Sequence, residues 1–228
     1  MALPCVLRGF IHKGKPGIVR LDKTGVGAAR LAPHIWHHYY VSIGAREMSK
    51  KIVVITGSPR KKGNIFAMVD AFVASAESYG HTVTRFDAAF KNKGGCHACN
   101  KCYQNGKPCA FNESFNEIAP AILDAEIIVF AMPVYFYSIP AQIKGIIDCM
   151  YSFLVGEKPI GGKKCAIISC CEDTDTSVFD GVVRPIECSA AFLKWTMIDS
   201  VLIPEVLNPG DINKTNGCAQ AAALAAKI

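Results

Sequence analysis

The sequence predicts an α/β domain in which a five-stranded parallel sheet carries helices on both faces. Short apolar runs recur along the chain, and stretches with helical spacing separate them. Strand and helix in alternation are typical of a parallel sheet, because each crossover between parallel strands needs a covering element. Half of the 228 residues are hydrophobic and 19% are charged, so the chain can bury a sizeable core.

The first strand is predicted at residues 52–56, where an uninterrupted apolar run ends at Gly57. Such a run is typical of a strand that is buried on both faces. The helix that follows has apolar residues at helical spacing from Ile65 to Val73. The second strand is predicted at residues 82–86.

The alternation continues to the end of the chain. A helix at 114–123 precedes the third strand, at 126–132, and an amphipathic helix then runs from about Ile139 to Met150. The fourth strand is predicted at 164–170 and the fifth at 200–206. Between them, residues 178–195 have helical length, although Pro185 should interrupt a helix. The alanine-rich end predicts a last helix, and five strands fit a flavodoxin-like order.

A domain boundary is predicted at Met48. Residues 1–47 lack a sustained hydrophobic period, whereas Met48 and a few polar residues lead directly into the first strand. We interpret residues 48–228 as the domain and 1–47 as an N-terminal extension that is disordered or not native. A targeting peptide is the alternative, because the segment is basic and poor in acidic residues.

Composition narrows the functional classes. No apolar run approaches the roughly 18 residues of a membrane span, and the apolar start is too short for a secretory signal. With no such signal, the eleven cysteines are expected to be thiols of a soluble, cytoplasmic protein. Of the net charge of +6, the first 48 residues carry +5, from seven Lys and Arg against two acidic residues. The near-neutral remainder argues against a nucleic-acid partner, and no membrane partner is expected.

The segment GSPRKKGN, from Gly57 to Asn64, joins the first strand to a helix. It matches neither the Walker A pattern nor G-x-G-x-x-G. A polar turn at a helix N-terminus is an anion site, because backbone N–H groups and the helix dipole favour negative charge. Ser58 and Asn64 can donate from their side chains, Arg60 adds positive charge, and Gly63 permits close approach.

The third strand ends in MPVYFYSIP, which places Tyr135, Phe136 and Tyr137 after it. In the flavodoxin order, ligands bind at the carboxyl ends of the first and third strands. A phosphate loop on one side and aromatic side chains on the other suit a phosphorylated planar ring, and FMN fits best. Core packing or a dimer contact is the alternative for the aromatic residues.

Together, GSPRKKGN, the cysteine loop CHACNKC and PVYFYSIPAQIKGIID resemble the NADPH-dependent FMN reductase and iron–sulfur flavoprotein branch of the flavodoxin-like superfamily. The resemblance covers about residues 50–206. It implies bound FMN, electron transfer with NAD(P)H or ferredoxin, and a homodimer or homotetramer. It assigns to the flavin site three segments, namely Ser58, Arg60, Gly63 and Asn64, then Pro133, Val134, Tyr135 and Phe136, and finally Ser169 to Glu172. Where the family commonly has Arg after I-D, this chain has Cys149.

The cysteine loop has four cysteines spaced C-x2-C-x2-C-x6-C, at Cys96, Cys99, Cys102 and Cys109. Three thiolates from one tight loop resemble the spacing of cluster ligands, whereas zinc sites usually have two C-x2-C pairs set well apart. Three alternatives stay open: a [4Fe–4S] cluster, free or redox-active thiols, and zinc.

Two functional hypotheses follow. The first is an FMN-dependent NAD(P)H oxidoreductase that passes electrons to a quinone, a free flavin or a nitro compound, and no acid–base triad is required. The second is an iron–sulfur flavoprotein that acts as an electron carrier or redox sensor without substrate turnover of its own.

Overall fold

The computed structural model describes residues 8–11, 15–18, 49–91 and 94–228. The chain divides into two units, Met1–Met48 and Ser49–Ile228. In the first unit, strand β1 (Arg8–Ile11) pairs antiparallel with β2 (Lys15–Ile18), a ladder that the sequence analysis did not predict. The rest of the predicted extension lies outside the described residues, and its interpretation as an extension stays a prediction.

The second unit alternates strands and helices as predicted. Its elements are β3 (Lys51–Thr56), α1 (Asn64–Ser78), β4 (Thr82–Asp87), α2 (Ala88–Lys91), α3 (Glu113–Asp124), β5 (Ile127–Pro133), α4 (Ala141–Cys149), α5 (Tyr151–Val155), β6 (Lys164–Cys170), α6 (Asp180–Phe192), β7 (Thr196–Ile203) and α7 (Gly217–Ala225). Short 3₁₀ turns lie at Thr176–Phe179 and Asp211–Lys214. The sheet order is β4-β3-β5-β6-β7 with all neighbours parallel, which confirms the flavodoxin-like fold.

The three central strands are covered on both faces. Along β3, Val53 and Ile55 join a core layer with α3, α4 and α6, while Ile52 and Val54 join the opposite layer with α1 and α7. Because both faces of these strands are buried, apolar and polar residues do not alternate along them. The strands therefore appear in the sequence as continuous apolar runs.

Two sequence predictions are wrong in detail. The fifth strand was expected at residues 200–206, but β7 runs from Thr196 to Ile203. It is an edge strand whose residues are mostly half-buried, so polar residues such as Asp199 are tolerated in it. Pro185 was expected to interrupt a helix, yet α6 continues through it. Proline removes one ladder hydrogen bond, but the buried residues Val182, Ile186 and Ala190 pack α6 into the core on both sides of the gap.

Within the four described ranges, no helix combines the length and the apolar composition that a membrane span requires.

Deletion of residues 1–47 should leave the melting temperature of the second unit almost unchanged. Among the described residues, those of the five-stranded sheet and of its two core layers all follow Met48. Differential scanning calorimetry of the full chain and of a chain that begins at Met48 checks this expectation. A large drop in melting temperature would show that the first unit contributes to the stability of the second.

Candidate flavin site and cysteine loop

A cavity of about 630 Å³ lies at the carboxyl ends of β3, β5, β6 and β7. Its volume falls in the range that is usual for small-molecule and cofactor sites. Four loops line it, one after each of these strands. This is the edge at which a doubly wound sheet binds ligands, because the strand order reverses there.

Nine of the ten residues that were predicted to bind the cofactor line this cavity. They are Ser58, Arg60, Gly63, Asn64, Pro133, Val134, Tyr135, Phe136 and Glu172. The tenth, Ser169, is fully buried inside β6 and is not among the lining residues. Its hydroxyl has no hydrogen-bond partner within the described part of the chain.

The loop after β3 curls tightly into the start of α1. The Ser58 hydroxyl accepts a hydrogen bond from the Arg60 N–H at 3.2 Å, and the Gly63 N–H donates to the Arg60 carbonyl at 2.9 Å. A Cβ at Gly63 would lie 2.9 Å from that same carbonyl oxygen, so a larger residue would push the loop open. No side chain caps α1 at Gly63, which leaves the first-turn amides for an anion.

Asn64 makes two contacts that its sequence position did not predict. Its side-chain amide donates to the Asn208 carbonyl at 2.9 Å, and its side-chain oxygen accepts from the Gly210 N–H at 2.9 Å. The side chain that was expected to donate to a phosphate therefore ties the start of α1 to the loop after β7.

The loop after β7 contributes Val206, Leu207 and Pro209 to the cavity, and this contribution was not predicted from the sequence. The last strand was expected to extend to residue 206, although β7 ends at Ile203. The signal that could have found the loop is topological, because all parallel strands end at the same edge of the sheet.

The aromatic segment after β5 forms a strained two-residue turn. Tyr135 and Ser138 exchange two backbone hydrogen bonds of 3.0 Å, and φ is +48° at Phe136 and +58° at Tyr137. Positive φ at residues other than glycine costs of order 1 kcal/mol each, so the surrounding structure must hold the turn. Phe136 is fully exposed and Tyr137 largely so, which argues against the core-packing alternative for these two rings.

Helix α6 supports this turn at Gly181. A Cβ at Gly181 would lie 1.6 Å from the Tyr137 carbonyl oxygen. Only glycine permits the close approach of the two backbones, so the helix start limits where the aromatic turn can lie.

Two adjacent thiols complete the cavity wall at the end of β6. Burial, and secondarily the charge of Cys171, raises the pKa of Cys170 to about 12. Burial also raises the pKa of Cys171. At neutral pH both are therefore uncharged thiols, and they add no negative charge to the site.

The four cysteines that were predicted to bind metal lie around one small pocket. Cys96 is exposed, whereas Cys99, Cys102 and Cys109 are partly buried. Burial, and then the charges of Cys109, Cys96 and Cys99, raises the pKa of Cys102, so the four sulfurs share one electrostatic neighbourhood.

Helix α3 and the segment after α5 hold this loop in place. The Asn116 side chain hydrogen-bonds to both backbone groups of Cys109. Its oxygen accepts from the Cys109 N–H at 2.7 Å, and its amide donates to the Cys109 carbonyl at 2.8 Å. The ring of Tyr103 lies against Gly156, where an added Cβ would come within 2.3 Å of it.

The pocket between the cysteines encloses only about 10 Å³. In the part of the chain that the structure describes, no three His, Cys, Asp or Glu side chains converge closely enough to hold a single metal ion. Four thiols are nevertheless the donor set that iron–sulfur clusters take, and the loop must widen to admit one.

The fold defines a flavodoxin-like domain, and its cavity is lined by the uncapped start of α1 and by the aromatic turn after β5. Residues 50–178 match the family model described as NADPH-dependent FMN reductase. The chain belongs to this family.

Named relatives are similar over part of the chain. Two iron–sulfur flavoproteins from Archaeoglobus fulgidus are 32% identical over 109 residues and 33% identical over 132 residues. The first alignment covers 48% of this chain and 48% of the relative, and the second covers 51% and 67%. The chain thus spans about half the length of the first of these relatives.

A solved structure supports the fold. The NAD(P)H:quinone oxidoreductase from Methanothermobacter marburgensis superposes with a TM-score of 0.62 over 78% of this chain and 94% of its own, at 15% identity. At this identity the likeness concerns the fold alone.

Replacing Gly181 with alanine should displace the aromatic turn and destabilise the domain by about 1–3 kcal/mol, the usual cost of forcing an extra methyl group into a packed site. The clash should outweigh the better helix propensity of alanine. Urea denaturation measures the loss. Gly161→Ala is the control, because its Cβ would meet its nearest neighbour at an ordinary 3.5 Å. Equal stability of the two variants would contradict the tight contact at Gly181.

Proposed function

We propose that residues 49–228 bind FMN in the 630 Å³ cavity and act as an FMN-dependent NAD(P)H oxidoreductase. A quinone, a free flavin or a nitro compound is the proposed class of acceptor. The proposal rests on one observation, namely that a helix start suited to an anion and an aromatic turn line the same cavity.

The residues of the cavity fit FMN at both ends. At one end, the uncapped start of α1, the Ser58 hydroxyl and the Arg60 guanidinium suit a phosphate. At the other end, the turn at Tyr135–Ser138 presents rings that suit a planar heterocycle. When bound, FMN supplies hydride and electron transfer, which side chains alone do not provide.

The chain's own residues bind and orient in this proposal. The Asn64 contacts hold the loops after β3 and β7 together, so the phosphate end of the cavity keeps its shape. The neutral thiols of Cys170 and Cys171 form an uncharged wall. The exposed rings of Phe136 and Tyr137 remain available to cover a ligand or to contact a second subunit.

A second candidate function rests on the cysteine loop. As an iron–sulfur flavoprotein, the protein would carry electrons or sense redox state, with Cys96, Cys99, Cys102 and Cys109 holding a [4Fe–4S] cluster. The gathering of the four thiols around one pocket favours it, and so do the names of the two relatives from Archaeoglobus fulgidus. A cluster would accept electrons one at a time from a flavin that carries two.

Stopped-flow reduction separates the two functions. Rapid reduction of the bound flavin by NADH or NADPH supports the enzyme, and reduction only by a ferredoxin-type donor supports the carrier. We further propose a homodimer or homotetramer in the cytoplasm, with small molecules or ferredoxin as redox partners and with neither nucleic acid nor membrane as a partner.

Arg60→Ala should weaken FMN binding roughly ten- to a hundredfold, because a charged donor to a phosphate contributes about 1.5–3 kcal/mol. Quenching of flavin fluorescence on titration into the apoprotein measures the dissociation constant. Lys62→Ala removes a neighbouring exposed charge that does not line the cavity and should change the constant little. Equal effects of the two substitutions would show that FMN binding depends only on the general positive charge of the loop. A wild-type protein that does not bind added FMN would contradict the proposal.

Cys102→Ala should abolish iron binding and leave FMN binding intact, because the flavin cavity and the cysteine pocket share no lining residue. After anaerobic reconstitution, iron analysis of the wild type should give about four irons per chain, the content of a [4Fe–4S] cluster. Cys188→Ala, at an exposed cysteine outside the loop, should keep the full amount. Wild-type protein without iron, or with stoichiometric zinc under the same conditions, would refute the cluster.

A further inference from the structure

A fifth thiol lies at the cysteine pocket. Cys149 is the last residue of α4, is buried at 2% exposure, and lines the same pocket as the four loop cysteines. Its place in the sequence indicates nothing of this kind, because no motif spacing links it to the loop. The fold alone brings it there.

Asn112 connects the Cys149 sulfur to the loop. Its backbone N–H donates to the Cys109 sulfur at 3.4 Å, and its side-chain amide donates to the Cys149 sulfur at 3.6 Å. The side-chain oxygen of Asn112 accepts from the Phe115 N–H at 2.9 Å and so caps α3. One residue at a helix start thus holds one loop sulfur and the helix sulfur in fixed positions, and N–H donors to sulfur are a feature that tunes iron–sulfur sites.

The electrostatic neighbours of Cys149 are two particular loop cysteines. Burial, and then the charges of Cys109 and Cys96, raises the pKa of Cys149 to about 12. Both of these cysteines line the pocket with Cys149, and Asn112 donates to the sulfur atoms of Cys109 and Cys149.

An unpaired hydroxyl lies beside this thiol. Ser152 is 3% exposed, lines the cysteine pocket, and has no hydrogen-bond partner for its hydroxyl among the residues that the structure describes. Buried hydroxyls are normally paired. The Ser152 hydroxyl is therefore an unused donor on the helix side of the pocket.

We propose that Cys149 is a ligand-competent fifth thiol of the cysteine site, able to replace Cys96 or Cys109 as an iron ligand. The inference rests on the proposed cluster. In the exchange, Cys149 loses its proton and binds iron as a thiolate, while the cysteine that leaves takes up a proton, and no electron is transferred.

The exchange would protect the cluster at its most accessible ligand. Cys96 is the one exposed thiol of the four loop cysteines, so oxidants in solution reach it first. Cys149 lies at the end of a packed helix and is shielded from solvent. When a peroxide oxidises the Cys96 thiolate to a sulfenic acid and releases hydroxide, Cys149 would give its proton to that hydroxide and take the place of Cys96 as an iron ligand.

Alanine variants of the five cysteines test the proposal, because alanine, unlike serine, offers iron no oxygen ligand. Each variant is reconstituted anaerobically with ferrous iron and sulfide, and its iron content and visible spectrum are recorded. Cys99→Ala and Cys102→Ala should lose the cluster. Cys96→Ala, Cys109→Ala and Cys149→Ala should each keep at least half of the wild-type iron.

The double variants Cys96→Ala/Cys149→Ala and Cys109→Ala/Cys149→Ala should then lose it. Loss of the cluster in Cys96→Ala and Cys109→Ala alone, to the extent seen in Cys102→Ala, would overturn the proposal. So would retention of the cluster in either double variant.

Two controls separate this inference from its premises. Cys165→Ala removes another buried thiol, which lies in β6 and does not line the cysteine pocket, and should keep the full iron content. FMN binding and circular dichroism show that each variant is folded. If the wild type itself takes up no iron, the cluster and the fifth thiol both fail. If the wild type takes up about four irons but the single variants at Cys96 and Cys109 do not, only the fifth thiol fails.

Discussion

Burial of the central strands on both faces is the constraint on which the rest of the structure depends. Helices cover both sides of β3, β5 and β6, so apolar side chains make up most of the middle of the sheet. The carboxyl edge is the place where the chain can gather polar loops from several strands. The cavity, which is lined by the uncapped start of α1 and by the aromatic turn after β5, lies at this edge.

Contacts between loops then give the cavity its shape. The Asn64 side chain joins the loop after β3 to the loop after β7. The close approach at Gly181 holds the strained turn that carries Phe136 and Tyr137. The Asn64 amide gives one N–H to the contact between the two loops and retains a second, so the residue types of a motif do not by themselves reveal every role of each residue.

The cysteine loop depends on helices rather than on strand ends. Asn112 and Asn116 of the α3 segment fix Cys109, and Tyr103 packs on Gly156 beyond α5. The thiols therefore have a rigid support on one side and an exposed loop on the other. A redox group bound by these thiols would be held in place by the helices and would stay accessible to an electron donor through the exposed loop.

The sequence by itself determined the strand order and most of the cavity lining, because doubly buried strands appear as apolar runs and loops that follow them must meet at one edge. It could not locate the start of β7, since an edge strand tolerates polar residues such as Asp199. It also could not place Ser169 inside the sheet or assign Asn64 to a loop 144 residues away. Only the tertiary structure brought Cys149 to Asn112, 37 residues distant, because contacts between distant segments depend on packing and leave no periodic pattern in the sequence.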